Sequence, residues 1–137
     1  MRIRYPRIQN RQIRFALAGC GRISNSHFEA ITQHKNRAEL VAVCDVDTGA
    51  LNEIQNKTGV TGYTQYTDLL AAGGFDCVIL TTPSGLHPQQ TIQAGFHVMT
   101  EKPMATRWKD GVAMVKACDD ASVRLFVVKQ NRRNAML

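Results

Sequence analysis

Two glycines separated by one residue, Gly19 and Gly21, lie where an apolar run ends and a helix-like pattern begins. Gly19 permits a sharp turn off a strand. Gly21 has no Cβ, so the backbone there can approach a pyrophosphate above the free N–H groups of the helix. Those N–H groups together carry about half a positive charge. Ser24 occupies the position where a third Gly or Ala is usual, so the match is imperfect. The turn predicts dinucleotide binding, although a tight strand-to-helix turn without a ligand has the same pattern.

Asp45 follows the next apolar run, at the position where an acidic side chain binds the ribose of a dinucleotide. A carboxylate there can accept hydrogen bonds from both ribose hydroxyls of an adenosine, and it repels a 2′-phosphate. The glycine turn and Asp45 together therefore favour NAD over NADP as the cofactor. Asp47, two residues later, can share the contact. The alternative for Asp45 is a carboxylate that merely caps its own loop.

The length and the charge distribution exclude several other classes of protein. A chain of 137 residues forms one domain, which buries about two-thirds of its unfolded surface. Five arginines and no acidic residue occupy residues 1–14, which leaves 12 basic and 11 acidic side chains in the rest of the chain. Because no basic face rich in aromatic residues follows, a solvated basic extension is favoured over a nucleic-acid surface.

The apolar and cysteine patterns are equally restrictive. No run of eighteen apolar residues and no apolar leader is present, so the sequence predicts neither a membrane span nor a signal peptide, and we expect a cytoplasmic protein. The four cysteines are widely spaced, with no Cys-x-x-Cys pair. They are typical of small buried apolar residues, and no metal site is predicted.

Strand-like and helix-like patterns alternate along the chain. The apolar runs predict strands over residues 13–18, 39–44, 62–64, 77–81, 96–100 and 124–128. Helical spacing predicts helices over residues 23–34, 48–58, 68–72, 89–94 and 107–120. Such alternation gives right-handed crossovers and a parallel sheet with helices on both faces. The predicted fold is a Rossmann-type doubly wound α/β sheet of order 3-2-1-4-5-6, with a basic extension over residues 1–12 and the domain over residues 13–134.

Two further segments follow the carboxyl ends of predicted strands, where ligands bind to open α/β sheets. They are Thr81-Thr82-Pro83-Ser84-Gly85-Leu86-His87 and Thr100-Glu101-Lys102-Pro103-Met104-Ala105. Each by itself could be ordinary loop chemistry. Together, and after the glycine turn, they resemble the glucose-fructose oxidoreductase, inositol dehydrogenase and rhizopine-catabolism family of NAD(P)-dependent sugar oxidoreductases. Residues 19–23 with His27 are similar to that family's opening signature, and residues 95–105 are similar to its Glu-Lys-Pro segment.

The resemblance implies a role for each matching residue. Lys102 would assist the removal of a proton from a sugar hydroxyl while hydride passes to the nicotinamide, and Glu101 would lie near the nicotinamide ribose. The residues implied to bind the cofactor, in addition to these two, are Gly19, Gly21, Arg22, Ile23, Thr82, Pro83, Ser84, Leu86 and His87. Burial and the positive nicotinamide ring both favour the neutral amine that such a base requires. The alternatives are a surface ion pair between Lys102 and Glu101, and a His87 that simply caps the helix starting there.

A narrower likeness lies in residues 105–108 and 127–134, which resemble the UDP-N-acetylglucosaminuronate dehydrogenases of bacterial lipopolysaccharide O-antigen synthesis. That likeness implies oxidation of the 3-hydroxyl of the sugar to a ketone. The residues implied to bind the UDP-sugar, together with Lys102, are Lys129, Asn131, Arg132 and Arg133. Guanidinium groups suit such a substrate because they pair bidentately with both diphosphate and carboxylate. The alternative is a solvated basic terminus.

The family pattern continues into a second domain that holds the sugar and supplies the residue that works with the lysine. Only residues 135–137 are left to begin such a domain here. We therefore expect the chain to hold a dinucleotide, to have little or no dehydrogenase activity alone, and to form a homo-oligomer. Two other functions remain open, namely a free-standing NAD-binding module without catalysis and a dehydrogenase of another sugar or of inositol.

Overall fold

Six parallel strands form one sheet through the centre of the computed structural model, which describes residues 7–133 apart from the side chain of Arg133. The strands are β1 (Ile13–Ala18), β2 (Ala38–Cys44), β3 (Thr61–Tyr63), β4 (Cys77–Leu80), β5 (His97–Thr100) and β6 (Leu125–Val127). Their order across the sheet is β3-β2-β1-β4-β5-β6. The predicted fold class and strand order are confirmed. Residues 135–137, predicted to begin a further domain, and residues 1–6 of the basic extension lie outside the described residues.

Within residues 7–133, five α-helices connect the strands: α1 (Ser24–Gln33), α2 (Thr48–Thr58), α3 (Tyr66–Ala72), α4 (His87–Ala94) and α5 (Trp108–Asp120). The start of α2 is set by Asp47, whose carboxylate accepts hydrogen bonds from the N–H groups of Gly49 and Ala50 at 2.9 and 3.1 Å. Its end is set by Gly59, which has a φ of 73°. Because both signals are local in the sequence, the predicted bounds of α2 agree with the structure.

The sheet is covered by helices on both of its faces. Successive side chains of a strand point to opposite sides. On one side Ala18 lies in a buried cluster with Leu69 of α3, and on the other side Leu17 packs with Phe28 of α1 and Leu51 of α2. A sheet that is buried on both faces requires apolar residues at nearly every strand position, which explains the continuous apolar runs in the sequence.

Two helices begin earlier than the sequence pattern predicts. Helix α4 begins at His87 rather than at residue 89, and α3 begins at Tyr66 rather than at residue 68. Pro88 does not prevent the earlier start of α4, because a proline in the first turn lacks only an N–H group that would have no partner in the helix. His87 therefore belongs to the helix and not to the loop before it.

The cysteines are buried apolar residues, as the sequence predicts. All four are free and buried. Burial raises the pKa of the Cys20 thiol to about 12 and that of the Cys44 thiol to about 11, and the neighbouring Asp45 carboxylate adds to both shifts. Both groups are therefore thiols and not thiolates at neutral pH. Within residues 7–133, no helix is long and apolar enough to cross a membrane, and no three His, Cys, Asp or Glu side chains are grouped so that they could hold a metal ion.

An ion pair at the amino edge of the sheet holds the segment that precedes β1. The guanidinium of Arg11 donates to both carboxylate oxygens of Asp76 at 2.8 Å, and the backbone N–H of Arg14 donates to the same carboxylate at 2.8 Å. The Asp76 side chain is only 12% exposed. Arg11 therefore departs from the expectation of a solvated basic extension, because it ties the start of β1 to the residue before β4.

Replacement of Asp76 by Asn should make the stability of the domain less dependent on acid. The hydrogen bond from Arg11 is the main reason that the pKa of Asp76 lies below its usual range, so the carboxylate stabilises the folded state at neutral pH. This stabilisation is lost as the pH falls below about 4 and passes through the lowered pKa. Urea unfolding should therefore show a lower free energy of unfolding for Asp76→Asn at pH 7, and a difference from wild type that narrows towards pH 3.

Asp120→Asn is the matched control, because Asp120 is paired with Lys116 on the exposed surface of α5. It should leave the free energy of unfolding nearly unchanged at both pH values. A constant difference between Asp76→Asn and wild type from pH 7 to pH 3 would contradict the assigned role of the Asp76 carboxylate.

Candidate functional site

The turn after β1 lies directly against the chain that leaves β4. Gly19 has a φ of 98°, and a Cβ placed there would lie 2.7 Å from the carbonyl carbon of Thr81 and 2.8 Å from the backbone nitrogen of Thr82. Such contacts are too close for any side chain. Thr81 also binds the turn, since its hydroxyl oxygen lies 2.5 Å from the carbonyl oxygen of Gly19. The absence of a side chain at Gly19 is therefore a requirement of the fold itself.

Gly21 meets a different requirement. A Cβ at Gly21 would have no heavy atom within 4 Å, so the space above the turn is open. Within the part of the chain that the structure describes, the N–H groups of Gly21, Arg22 and Ile23 donate to no acceptor. Three unpaired N–H groups at the start of α1, beside open space, fit the phosphates of a dinucleotide.

Ser24, the imperfect position of the glycine motif, has a structural role. Its side chain is fully buried, and its hydroxyl donates to the carbonyl of Gly21 at 2.6 Å. The hydroxyl thus occupies a carbonyl of the turn and leaves the N–H groups of the turn available. A small residue is still required here because α1 packs against the sheet at this point.

Asp45 lies at the carboxyl end of β2 and holds the turn from the side opposite to β4. One of its carboxylate oxygens accepts from the N–H of Cys20 at 2.7 Å, and the other accepts from the N–H of Asp47 at 2.8 Å. Each oxygen of a carboxylate has two acceptor positions, so both can also receive a ribose hydroxyl. Asp45 is therefore placed beside the turn, as a ribose-binding residue would be. Asp47, by contrast, uses its side chain to cap α2.

The loop after β4 is held from within the protein. Pro83, Ser84 and Leu86 follow, with a short 3₁₀ turn over Ser84–Leu86. The hydroxyl of Thr82 donates to the side-chain oxygen of Gln90 at 2.5 Å. His87 is 1% exposed, with Nε2 lying 2.9 Å from the carbonyl oxygen of Thr82. The His87 ring does not cap α4, so the alternative of a simple helix cap is wrong.

The Glu101-Lys102-Pro103 segment follows β5, and its carboxylate faces α1. His27 Nε2 lies 2.7 Å from Glu101 Oε1, with the two side chains 12% and 14% exposed. Lys102 is exposed and has no hydrogen bond or ion pair to any other residue between positions 7 and 133. The peptide bond between Lys102 and Pro103 is cis. The alternative of a surface ion pair between Lys102 and Glu101 is therefore wrong, because Glu101 is paired with His27.

These segments meet in one cavity at the carboxyl edge of the sheet. Its volume is about 540 Å³. The residues that line it are Ile23, Ser26, His27, Ala30, Thr81, Thr82, Pro83, Ser84, His87, Glu101, Lys102, Val128 and Gln130. The structure thus brings together the glycine-turn helix and the two predicted loops. Leu86 is predicted to bind the cofactor but is not among the lining residues.

Of the predicted substrate residues, Lys102 lines this cavity, whereas the others are not among its lining residues. Lys129 lines a larger cavity of about 790 Å³ along α5, together with the exposed Trp108. Asn131 and Arg132 are exposed in the 3₁₀ turn after β6, and the side chain of Arg133 lies outside the described residues. Their role in binding a substrate remains a prediction.

Three side chains that sequence reasoning left out of the site contribute to it. Thr81 binds the carbonyl of Gly19, Gln90 holds the hydroxyl of Thr82, and His27 pairs with Glu101. Thr81 and His27 lie in segments that the sequence analysis associates with the cofactor, and that location is the signal by which both could have been found. No sequence signal pointed to Gln90, because its contact with Thr82 depends on how α4 packs against the loop after β4.

A parallel sheet of this order, with an open glycine turn and an acidic residue beside it, is the framework of a dinucleotide-binding domain. The family described as "Oxidoreductase family, NAD-binding Rossmann fold" (GFO_IDH_MocA) matches residues 13–129. The chain belongs to this oxidoreductase family, and its domain is of the NAD-binding kind. The predicted family and cofactor are confirmed.

Two solved structures of this kind are much more similar to the chain in sequence. The chain is 61% identical to the WlbA dehydrogenase of Chromobacterium violaceum, with a TM-score of 0.96 over 99% of this chain and 40% of that one. It is 60% identical to the WlbA dehydrogenase of Bordetella pertussis, with a TM-score of 0.90 over 93% of this chain and 40% of that one. Both structures contain NADH and UDP-GlcNAcA.

More distant relatives act on other small molecules. Inositol 2-dehydrogenase 3 of Saccharopolyspora erythraea is 29% identical over 88% of this chain and 37% of its own length. The chain therefore spans about two fifths of the length of these three relatives.

The two glycines of the turn should respond differently to alanine. Gly19→Ala should lower the free energy of unfolding by at least about 2 kcal/mol, because the new Cβ meets backbone and φ is positive. Gly21→Ala should change it by less than about 0.5 kcal/mol, since the Cβ enters open space. The same space would hold the phosphates, so Gly21→Ala should weaken NADH binding.

Urea unfolding and NADH fluorescence titration of the two variants make this comparison. The interpretation of the turn is wrong if Gly21→Ala binds NADH as tightly as wild type, or if Gly19→Ala is as stable as wild type.

Proposed function

We propose that this chain is the NAD-binding domain of a UDP-sugar dehydrogenase, which oxidises the 3-hydroxyl of UDP-N-acetylglucosaminuronate. The observation that carries the proposal is the identity of about 60%, over nearly the whole chain, with two dehydrogenases whose structures contain NADH and UDP-GlcNAcA. Two other relatives have about half of that sequence identity. They are 4-carboxy-2-hydroxymuconate-6-semialdehyde dehydrogenase, at 30%, and inositol 2-dehydrogenase 3, at 29%. Because the chain spans two fifths of the WlbA proteins, the activity is proposed for a protein of their length.

The glycine turn and Asp45 would bind the adenosine half of the cofactor. The unpaired N–H groups of Gly21, Arg22 and Ile23 would donate to the pyrophosphate at the positive end of α1. Asp45 would accept from the ribose hydroxyls while it continues to hold the N–H of Cys20. A 2′-phosphate would bring its negative charge close to this carboxylate, so NAD would be bound in preference to NADP.

The cavity at the carboxyl edge of the sheet would hold the nicotinamide half, with Thr82, Pro83, Ser84 and His87 along one side of it. NAD, when bound, supplies the hydride acceptor. Lys102 is the residue proposed to take the proton of the sugar hydroxyl on its Nζ, so that loss of hydride and proton converts the alcohol to a ketone. Its exposed side chain has no partner among the described residues, so it is available for this contact.

The basic residues after β6 are proposed to bind the charged parts of the substrate. Lys129, Asn131, Arg132 and Arg133 follow a strand whose carboxyl end lies at the same edge as the cavity. Guanidinium and ammonium groups there would pair with the diphosphate and the carboxylate. Self-association is also proposed, supported by apolar residues on the surface of α5 such as Trp108, which is 88% exposed.

The first test of the proposal is the choice between NADH and NADPH. Asp45→Asn keeps an oxygen that can accept from the N–H of Cys20 but removes the negative charge. Affinity for NADPH should rise about tenfold, and affinity for NADH should fall, because the charge no longer repels the 2′-phosphate or attracts the ribose hydroxyls. Fluorescence titration of this chain with both dinucleotides measures the ratio.

Asp47→Asn is the matched control, because asparagine also caps helices well and the residue is only two positions away. It should change the NADH to NADPH ratio much less than Asp45→Asn does, because the Asp47 carboxylate is occupied by the N–H groups of Gly49 and Ala50. A ratio that is the same in wild type and Asp45→Asn would remove Asp45 from the cofactor site.

The second test concerns the proposed base. In a protein of the relatives' length that contains this domain, Lys102→Ala should lower turnover of UDP-N-acetylglucosaminuronate by about 10²- to 10⁴-fold, the usual contribution of an acid–base group. NADH affinity should change little. Lys116→Ala is the control, since Lys116 is paired with Asp120 on α5. Turnover that survives Lys102→Ala would show that another group is the base.

A further inference from the structure

The two residues on either side of Lys102 are each held by a histidine from another part of the fold. His27 of α1 places Nε2 at 2.7 Å from Glu101 Oε1. His87, the first residue of α4, places Nδ1 at 3.2 Å from the carbonyl oxygen of Pro103. Lys102 itself is exposed and has no hydrogen bond within the described range. A carboxylate before Lys102 and a backbone carbonyl after it are thus each held by a histidine ring, while the Lys102 side chain has no partner among the described residues.

His87 connects two of the loops that form the cavity. Its ring is 1% exposed, and the second nitrogen, Nε2, lies 2.9 Å from the carbonyl oxygen of Thr82. Each ring nitrogen thus lies within hydrogen-bonding distance of a backbone carbonyl oxygen that belongs to a different loop. Although His87 lines the cavity, both of its ring nitrogens face backbone carbonyls of the protein. His87 is therefore placed to act on the cofactor site through the two loops that it connects.

His27 connects the Glu-Lys-Pro segment to the glycine turn. It lies on α1, which begins immediately after that turn, and its pair with Glu101 is mostly shielded from water. An ion pair or hydrogen bond in such a place is more directional and less screened than one on the surface. The position of Glu101 is therefore coupled to α1, the helix whose N-terminus is proposed to bind the phosphates.

We propose that His27 and His87 are positioning residues, which together hold residues 101 and 103 so that the amine of Lys102 stands beside the nicotinamide. This inference rests on the proposed function, in which Lys102 is the base. Lysine has a flexible four-carbon side chain, so its reach into the cavity depends on a fixed backbone. A displacement of about 1 Å at a reacting group can cost about a hundredfold in rate.

The two contacts use different ring nitrogens, and this difference gives a sharp test. A glutamine amide can reach the position of Nε2, and an asparagine amide can reach the position of Nδ1. At position 27 the contact is made by Nε2, so His27→Gln should preserve the position of Lys102 and His27→Asn should not. At position 87 the contact to Pro103 is made by Nδ1, so the expectation is reversed: His87→Asn should preserve it and His87→Gln should not.

The measurement is protection of Lys102 from an amine-acetylating reagent by saturating NADH, read by mass spectrometry of this chain. Wild type, His27→Gln and His87→Asn should show strong protection of Lys102. In His27→Asn and His87→Gln, the protection of Lys102 by saturating NADH should be at least about threefold weaker than in wild type, since the amine is no longer held beside the ligand. Lys116, on the surface of α5, is the internal control and should be acetylated equally in every sample.

Each result supports or overturns the inference. Equal protection in all four variants would overturn it while leaving Lys102 beside the cofactor, so the proposed function would stand. No protection in wild type would overturn both. If melting curves show that the buried His87 variants do not fold, the His27 pair of variants decides the outcome. A purely structural role for His27 would make its Gln and Asn variants alike in protection, whatever their melting temperatures.

Discussion

The structure depends on the contact between the turn after β1 and the backbone that leaves β4. With no side chain at Gly19, the two segments approach until a Cβ would lie 2.7 Å from Thr81. β1 and β4 are neighbours at the point where the strand order reverses direction, which is where open α/β sheets form their ligand crevice. A larger residue at position 19 would separate these strand ends and so displace both walls of the cavity.

The same contact leaves the turn ordered before any ligand binds. β4 holds it through the hydroxyl of Thr81, and β2 holds it through Asp45, which accepts from the N–H of Cys20. Within the turn, the N–H groups of Gly21, Arg22 and Ile23 are left without partners among the described residues. Since little backbone remains to be ordered on binding, more of the interaction with an anion is available as affinity. Rigid scaffolding by neighbouring strands thus prepares a site that consists largely of backbone.

The fold could be predicted because its signals are local in the sequence. The site could be predicted only in part, because it depends on contacts between segments that are distant in the sequence. The bounds of β1 and α2 follow from an apolar run, an Asp cap and a terminal glycine, all of which can be read from adjacent residues. The pairing of Glu101 with His27 joins residues that are far apart in the chain, and the sequence offered the adjacent Lys102 only as an alternative partner of Glu101. The place of Asp45 after β2 could be predicted from the sequence, but its hydrogen bond to the glycine turn depends on how β2 lies beside β1.

The exposure of Lys102 indicates how the chemistry would be divided between this domain and its ligands. Burial and nearby positive charge are the two influences that favour a neutral amine, and the described residues around Lys102 provide little of the first. The nicotinamide cation and a sugar covering the cavity would provide both at once. The domain would then contribute the position of the amine, through the contacts at Glu101 and Pro103, and the bound ligands would favour its neutral form. Such an arrangement would couple proton removal to the presence of both cofactor and substrate, because the oxidised cofactor would supply the positive charge and the substrate would supply the proton.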